Sequence, residues 1–282
     1  MPHTWQRVAI VGVGLIGGSI GIDLLRRGLA KSVVGIGRNK ASLADALKAH
    51  AVTDTTLDLE QGVAEADLIV VCTPVGQIAA DVRRAATACR PGTIITDAGS
   101  TKAAIVAELD GQLAGDVAFV GSHPLAGSEK RGPTAATADL FVDRTVVVTP
   151  SERSRSADVS RVTGFWKSLG ARVVTIAADE HDRIVAATSH LPHIAASALA
   201  ASLVEGDLPL VARGWLDATR LAAGDPGLWR QILLANRDHL LDALRRYDES
   251  LGRLRAALEH ADGDAIERFL ADAKQTRDRF ET

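Results

Sequence analysis

The sequence predicts an open α/β domain with a parallel sheet, followed by an all-helical domain. Three observations carry that prediction. Short β-rich apolar runs alternate with helical segments as far as residue 176, and a glycine-rich turn joins the first run to the first helix. Beyond residue 179 no convincing strand occurs, while alanine, leucine and arginine recur at helical spacing.

Residues 8–11 (VAIV) form an apolar run that stops at Gly12 and reads as a strand buried on both faces. A helix follows over 15–27 and ends at Gly28, a suitable C-cap. The next strand is 33–36 and the next helix 40–49. Strands at 68–72 and 93–96 flank a helix at 77–88. Apolar runs at 117–120, 145–148 and 172–176 continue the alternation, which implies parallel βαβ units in one doubly wound sheet. After residue 176, Pro192, Pro209 and Pro226 punctuate the helices, and a long helical stretch over 228–258 is expected to bend near Gly252. The expected division is therefore 1–178 for the α/β domain and 179–282 for the helical one.

Composition narrows the class. Across 282 residues the chain is 46% hydrophobic and 24% charged, which excludes a disordered or collagen-like chain. A net charge of −3 provides no basic field for nucleic acid. Cys72 and Cys89 are the only cysteines, too few for a disulfide scaffold, so a reducing cytoplasm is expected. The first seven residues hold one basic side chain and lack the layout of a signal peptide. No run reaches the roughly 18–20 uninterrupted apolar residues of a membrane span, so no membrane partner is expected. Alanine-rich helices with few aromatics commonly bury one another across a subunit interface, and a homodimer through the helical domain is expected.

The turn after the first strand reads Gly12-Val-Gly14-Leu15-Ile16-Gly17, a G-x-G-x-x-G run between strand and helix. Gly12 permits a tight turn, Gly14 lets the backbone approach a pyrophosphate, and Gly17 lets helix pack closely on strand. The helix N-terminus then offers unpaired N–H groups to the phosphates. These features make the first domain Rossmann-like and dinucleotide-binding. The acidic residue that commonly grips the adenosine ribose is expected about twenty positions beyond the last glycine. Gly37 stands there, followed by Arg38. Loss of the acid removes repulsion of a 2′-phosphate and the arginine supplies a donor, so NADP is favoured over NAD. Alternatively Arg38 stacks on adenine, which suits either cofactor. Thr73 and Pro74, after a later strand, should face the same crevice, with Cys72 a small core residue rather than a nucleophile.

Further polar clusters follow in order: Asp97-Ala-Gly-Ser100-Thr-Lys102, then Gly121-Ser-His123-Pro through Lys130. The first two follow apolar strands, where open α/β sheets place their ligands. Next come Asp179-Glu-His-Asp182, Ser189-His-Leu-Pro-His193, Thr219-Arg220, and Asp225-Pro-Gly-Leu-Trp229 with Asn236 beyond it. Through these residues the chain resembles the prephenate/arogenate dehydrogenase family of tyrosine biosynthesis. The ordered motifs GxGLIGGS, CTPV, DAGSTK, GSHPLAGSEKRG, ADLF, DEHD, SHLPH, TR and DPxLW span nearly its whole length.

That resemblance implies a Rossmann-like domain joined to a helical dimerisation domain; the regulatory ACT domain and fused chorismate mutase of some relatives are not expected in this sequence. It also implies oxidative decarboxylation of a cyclohexadienol. Hydride passes to nicotinamide, the hydroxyl loses its proton, and the ring carboxylate leaves as carbon dioxide. His123 would accept the hydroxyl proton, a role suited to a neutral imidazole. Ser100 would hydrogen-bond the same hydroxyl and orient the histidine, or serve as an N-cap for the following helix. Arg220 would bind the substrate carboxylate, His193 would contact the substrate side chain, and Glu129 would join an ionic network at the pocket mouth. His190 is expected to be structural. Two neighbouring histidines raise the question of a metal, but no cysteine or carboxylate array completes a site, so none is expected.

One departure stands out. Many relatives carry a basic residue four positions before the Arg220 equivalent, where this chain has Leu216. That change leaves the choice between the keto side chain of prephenate and the amino side chain of arogenate open. 4-Amino-4-deoxyprephenate is a third candidate. A β-hydroxyacid dehydrogenase would share the first domain but lacks the HP and SHLPH motifs. A non-catalytic NAD(P)-binding sensor would give no reason for Ser100, His123 and Arg220 to occur together.

Overall fold

A computed structural model describes residues 4–113, 116–127 and 132–280. Six parallel strands form the first sheet: β1 (Trp5–Val11), β2 (Ala30–Ile36), β3 (Asp54–Thr56), β4 (Leu68–Val71), β5 (Ile94–Asp97) and β6 (Ala118–Phe119), in the order β3-β2-β1-β4-β5-β6. The helices between them are α1 (Leu15–Arg26), α2 (Lys40–Lys48), α3 (Leu59–Val63), α4 (Val75–Ala88) and α5 (Ala103–Leu109). The period-2 alternation of β1 sends Val8 and Ile10 into one core and Ala9 and Val11 into another, so both sheet faces are covered. β3 and α3 escape a reading by apolar runs because they are short and carry Asp54, Thr55, Glu60 and Gln61.

The later strands do not join that sheet. β7 (Gly121–Pro124), β8 (Thr145–Thr149) and β9 (Arg172–Thr175) form a second sheet in which β7 is antiparallel to β8 and β8 parallel to β9. The expected single parallel sheet is corrected here. β6 is only two residues long, and just after it Ser122 is tied to the end of β5. The Ser122 N–H donates to Asp97 Oδ1 (3.0 Å), and its hydroxyl meets Thr96 Oγ1 (2.8 Å) and accepts from Trp166 Nε1 (2.9 Å). That anchor redirects the chain. His123 thus lies within a strand, not in a loop beyond one. Helix α6 (Ser156–Ser168) brings Phe165 and Trp166 beneath this sheet, against Phe141 and the core face of β1.

Beyond β9 the described residues are helical: α7 (Ala178–Val185), α8 (Leu191–Ala201), α9 (Arg213–Thr219), α10 (Pro226–Ala235), α11 (Arg237–Glu259) and α12 (Gly263–Asp278). A π-helical turn, Ala186–His190, joins α7 to α8 without a break. Pro192 explains it: a proline lacks the N–H for the i−4 bond and crowds that carbonyl, so the helix widens one turn ahead. The resulting Ala178–Ala201 helix is long and apolar enough to cross a membrane by length and composition alone. It nevertheless carries His181, Asp182, His190 and His193, all buried inside the fold.

By compactness the chain divides into Met1–Asn236 and Arg237–Thr282. In the second unit α11 passes Gly252 without interruption, so the expected bend there is absent. The helical stretch is broken instead at Asn236, which closes α10 with non-helical dihedrals. Asn236 is itself buried, and its amide serves other partners described below.

Candidate active site

Strand register brings the chemistry to one edge. Val11 pairs with Ile36 and Val71, and Val71 with Asp97, so Gly12, Gly37, Cys72 and Ala98 leave the sheet side by side at its carboxyl end. Gly12 has φ +96° and donates its N–H to Ile36 O at 2.8 Å; a Cβ there would lie 2.8 Å from Cys72 O. A Cβ on Gly17 would lie 2.3 Å from Gly12 O, whereas one on Gly14 would meet nothing within 4 Å. The loop is therefore packed shut at its back and open at its front. α1 begins behind Gly14 with no side chain capping its N–H groups, and Leu15 and Ile16 form its half-buried first turn. These residues fit a dinucleotide pyrophosphate.

Thr73 donates its hydroxyl to Asp81 Oδ2 (2.8 Å), and Pro74 leads into α4. Burial, and then Asp97, push the Cys72 thiol far above its ordinary range, so it stays protonated and packs. Arg38 is exposed one residue beyond Gly37, while Asn39 caps α2 by accepting from Ala41 N (2.8 Å) and Ser42 N (3.3 Å).

A buried polar chain runs across the ends of β5 and β7. Asp97 forms an ion pair with Lys102, both fully buried. Burial lowers the lysine's pKa, and Asp97 followed by Asp182 opposes that shift. Breaking such a buried pair by removing one partner costs about 3–5 kcal/mol. Asp182 accepts from the backbone N–H groups of Lys102 (2.8 Å) and Ala103 (2.9 Å), capping α5 from a distant helix. It also meets His181 Nδ1 at 2.7 Å, and His181 Nε2 lies 2.9 Å from His123 Nδ1. The two imidazoles stand edge to face, 74° apart. Burial first, then His181, Lys102 and His190, hold His123 well below 6.5, so it is neutral at pH 7.

The second histidine pair is built differently. His190 is buried, and Asn236 Nδ2 donates to its Nδ1 (3.1 Å) and to Asp182 O (2.7 Å). Burial brings His190 down to about 4 despite Asp182, with His181 and His193 adding to the fall. His193 stacks on Trp229, and its Nδ1 is a buried polar atom with no hydrogen-bond partner among the described residues. Gly224 allows this: a Cβ there would lie 2.4 Å from Trp229 Nε1 and 2.9 Å from His193 Cε1.

Of the other expected site residues, Arg220 opens the short 3-10 segment Arg220–Ala223 just before Gly224, exposed and with no ion-pair partner among the described residues. Leu216, on α9, is exposed. Ser100 lies in the turn between β5 and α5, and its hydroxyl does not cap α5, because Asp182 does. Glu129 lies outside the described residues. Sequence reasoning assigned no role to His181, Asp182, Trp229 or Asn236, although the first three sit in quoted motifs and Asn236 lies just beyond one. Among the described residues no cluster of three or more His, Cys, Asp or Glu side chains is placed to hold a metal ion.

Comparison with known proteins gives a consistent set of likenesses. The family description "Prephenate dehydrogenase, nucleotide-binding domain" matches residues 20–175, and "Prephenate dehydrogenase, dimerization domain" matches 177–272. The chain is 33% identical to prephenate dehydrogenase of Bacillus subtilis, with 99% of this chain and 77% of that protein covered. It is also 33% identical to cyclohexadienyl dehydrogenase of Zymomonas mobilis, with 97% and 95% covered. Among solved structures, prephenate dehydrogenase from A. aeolicus in complex with hydroxyphenyl propionate and NAD+ superposes with a TM-score of 0.90 at 28% identity, covering 98% of each chain. Arogenate dehydrogenase from Synechocystis superposes with a TM-score of 0.80 at 28% identity, covering 98% of this chain and all of that one.

Proposed function

Because this chain belongs to the prephenate dehydrogenase family, we infer that it catalyses NAD(P)-dependent oxidative decarboxylation of prephenate to 4-hydroxyphenylpyruvate. The observation that carries this reading is His123: a neutral, half-buried imidazole beside the carboxyl edge that presents the glycine loop. A bound nicotinamide supplies the hydride acceptor. The protein's own work is to orient the ring and take one proton. As hydride leaves the carbinol carbon, His123 accepts the hydroxyl proton. The carbon–carbon bond to the ring carboxylate breaks, its electron pair completes the aromatic ring as carbon dioxide departs, and the ring oxygen takes the proton back from His123 to give the phenol. Arg220 holds a substrate carboxylate, His193 meets the side chain through its unpartnered Nδ1, and Ser100 bonds the reacting hydroxyl.

NADP is the favoured cofactor, supported by Arg38 standing exposed where an acid would oppose a 2′-phosphate. A homodimer is supported by the apolar helix Ala178–Ala201, only 28% buried across its most apolar window, and by exposed Leu199. The compartment is the cytoplasm, supported by two cysteines that are both free thiols.

The test crosses prephenate and arogenate with NAD and NADP and follows reduced nicotinamide. Turnover of prephenate with one carbon dioxide per hydride is expected. Turnover of arogenate alone would transfer the assignment to that substrate, as Leu216 leaves room for; turnover of neither would refute the reading. Sedimentation at micromolar concentration tests the dimer, and a species of 29.6 kDa would refute it.

A further inference from the structure

With a neutral imidazole at His181, the donors and acceptors around Asp182 have one consistent assignment. The backbone N–H groups of Lys102 and Ala103 are obligate donors, and they occupy Oδ1 and Oδ2 of Asp182 respectively. Both carboxylate oxygens therefore accept. His181 Nδ1, 2.7 Å from Oδ1, must carry its proton and donate. A neutral imidazole with a protonated Nδ1 has a bare Nε2. His181 Nε2 thus accepts, and its partner at 2.9 Å, His123 Nδ1, must be the donor. With that proton on Nδ1, the bare nitrogen of neutral His123 is Nε2.

We propose that His181 and Asp182 are positioning residues that hold His123 in the tautomer whose Nε2 is free to accept the substrate's proton. The inference rests on His123 as the base and adds what orients it. The polarity begins in two backbone amides at the start of α5, passes through a carboxylate and one imidazole, and ends on the nitrogen that does the chemistry. Both positioning side chains are buried, with 1% of each residue exposed, so water does not compete for these bonds. Asp182 is held from a further side, because its own carbonyl accepts from Asn236 Nδ2. Helix α7 thereby becomes part of the catalytic apparatus by acting on His123. The same bonds fix the direction of the His123 ring as well as its proton.

The test reads the tautomer directly. In the full-length protein labelled with ¹⁵N-histidine, long-range proton–nitrogen correlation reports which nitrogen of His123 is protonated, with His123→Asn assigning the signal. The expected wild-type pattern is a protonated Nδ1 and a bare Nε2. In His181→Phe the signature shifts towards the mixed or opposite tautomer, and kcat falls about 10- to 100-fold with KM for substrate within about twofold. His181→Gln, whose amide oxygen still accepts from His123 Nδ1–H, restores the tautomer and most of kcat. A wild-type His123 protonated at Nε2 would overturn the proposal without any variant. So would a His181→Phe protein with unchanged tautomer and kcat, or a folded His181→Gln protein that stays in the wrong tautomer. If the wild type turned over neither cyclohexadienol, the substrate assignment would fall, while the nitrogen signature would still decide the proposal.

Discussion

His193 and Trp229 lie face to face, with ring centroids 3.5 Å apart and planes 9° from parallel, and they join α8 to α10. The stack fixes the plane of the imidazole and so the direction of its unpartnered Nδ1. An aromatic contact of this kind is worth about 0.5–1.5 kcal/mol beyond the area it buries. Trp229→Leu should therefore raise KM for the cyclohexadienol by about three- to tenfold. kcat and the affinity for cofactor should stay near wild type. Steady-state kinetics with either substrate checks this, and an unchanged KM would remove His193 from the side-chain contact.

His123 and Arg220 should fail in different ways. His123→Asn removes a proton acceptor needed in the transition state, so kcat falls about 10²–10⁴-fold with substrate affinity retained. Arg220→Ala removes a contact present in both ground and transition states and should chiefly raise KM, equivalent to roughly 2–5 kcal/mol if the charge pair is desolvated. Near-normal kcat in the first variant, or an unchanged KM in the second, would reassign the role.

The glycine loop separates ligand space from packing space. Gly14→Ala places a methyl where no protein atom lies within 4 Å, so the protein should keep its melting temperature and bind dinucleotide more weakly. Gly17→Ala drives a methyl to 2.3 Å from Gly12 O and should destabilise the fold by about 1–3 kcal/mol, the usual cost of overpacking. Thermal denaturation with and without dinucleotide distinguishes the two.

Arg38→Ala should weaken NADP binding selectively, by about 1–3 kcal/mol for a lost charge-assisted contact. Equal weakening of NAD and NADP would mean that the guanidinium only stacks on adenine. A hundredfold wild-type preference for NAD would end the NADP assignment.

Acid should destabilise the fold through His190 and His123. Both have folded pKa values below the unfolded 6.5, with His190 at about 4. Between those values the unfolded chain binds more protons, so stability is full above about pH 6.5 and falls as pH drops towards 4. His190 alone contributes on the order of 3 kcal/mol over that window. Urea denaturation at pH 7 and pH 5 measures it, and His190→Gln should flatten the dependence. Because His123 stays neutral well below 6.5, the acid limb of kcat should also lie below 6.5.

Four strands of the first sheet and the loop from Gly12 to Gly17 follow from local information. Residues 8–11, 33–36, 68–72 and 93–96 are strands because they are apolar and bounded by turn residues, and Gly17 is demanded by the close approach of Gly12 O, five residues earlier. The second sheet was not legible in the same way. Residues 145–148 and 172–176 look like continuations of the parallel alternation. Only the anchoring of Ser122 by Asp97, Thr96 and Trp166 turns β7 back against β8. The break at Asn236 rather than Gly252 has a similar cause, since the amide of Asn236 serves Asp182 and His190, some fifty residues away in sequence.

The sequence by itself determined the parallel sheet, its cofactor loop and the residue types of the chemistry, because hydrophobic periodicity, turn glycines and motif spacing are properties of neighbouring residues. The tertiary structure alone decided which of those residues meet. Asp182 caps a helix that starts eighty residues earlier, and His181 reaches His123 across fifty-eight. A proton's position on an imidazole depends on which donors and acceptors surround the ring, and that arrangement exists only once distant segments are packed and water is excluded from between them.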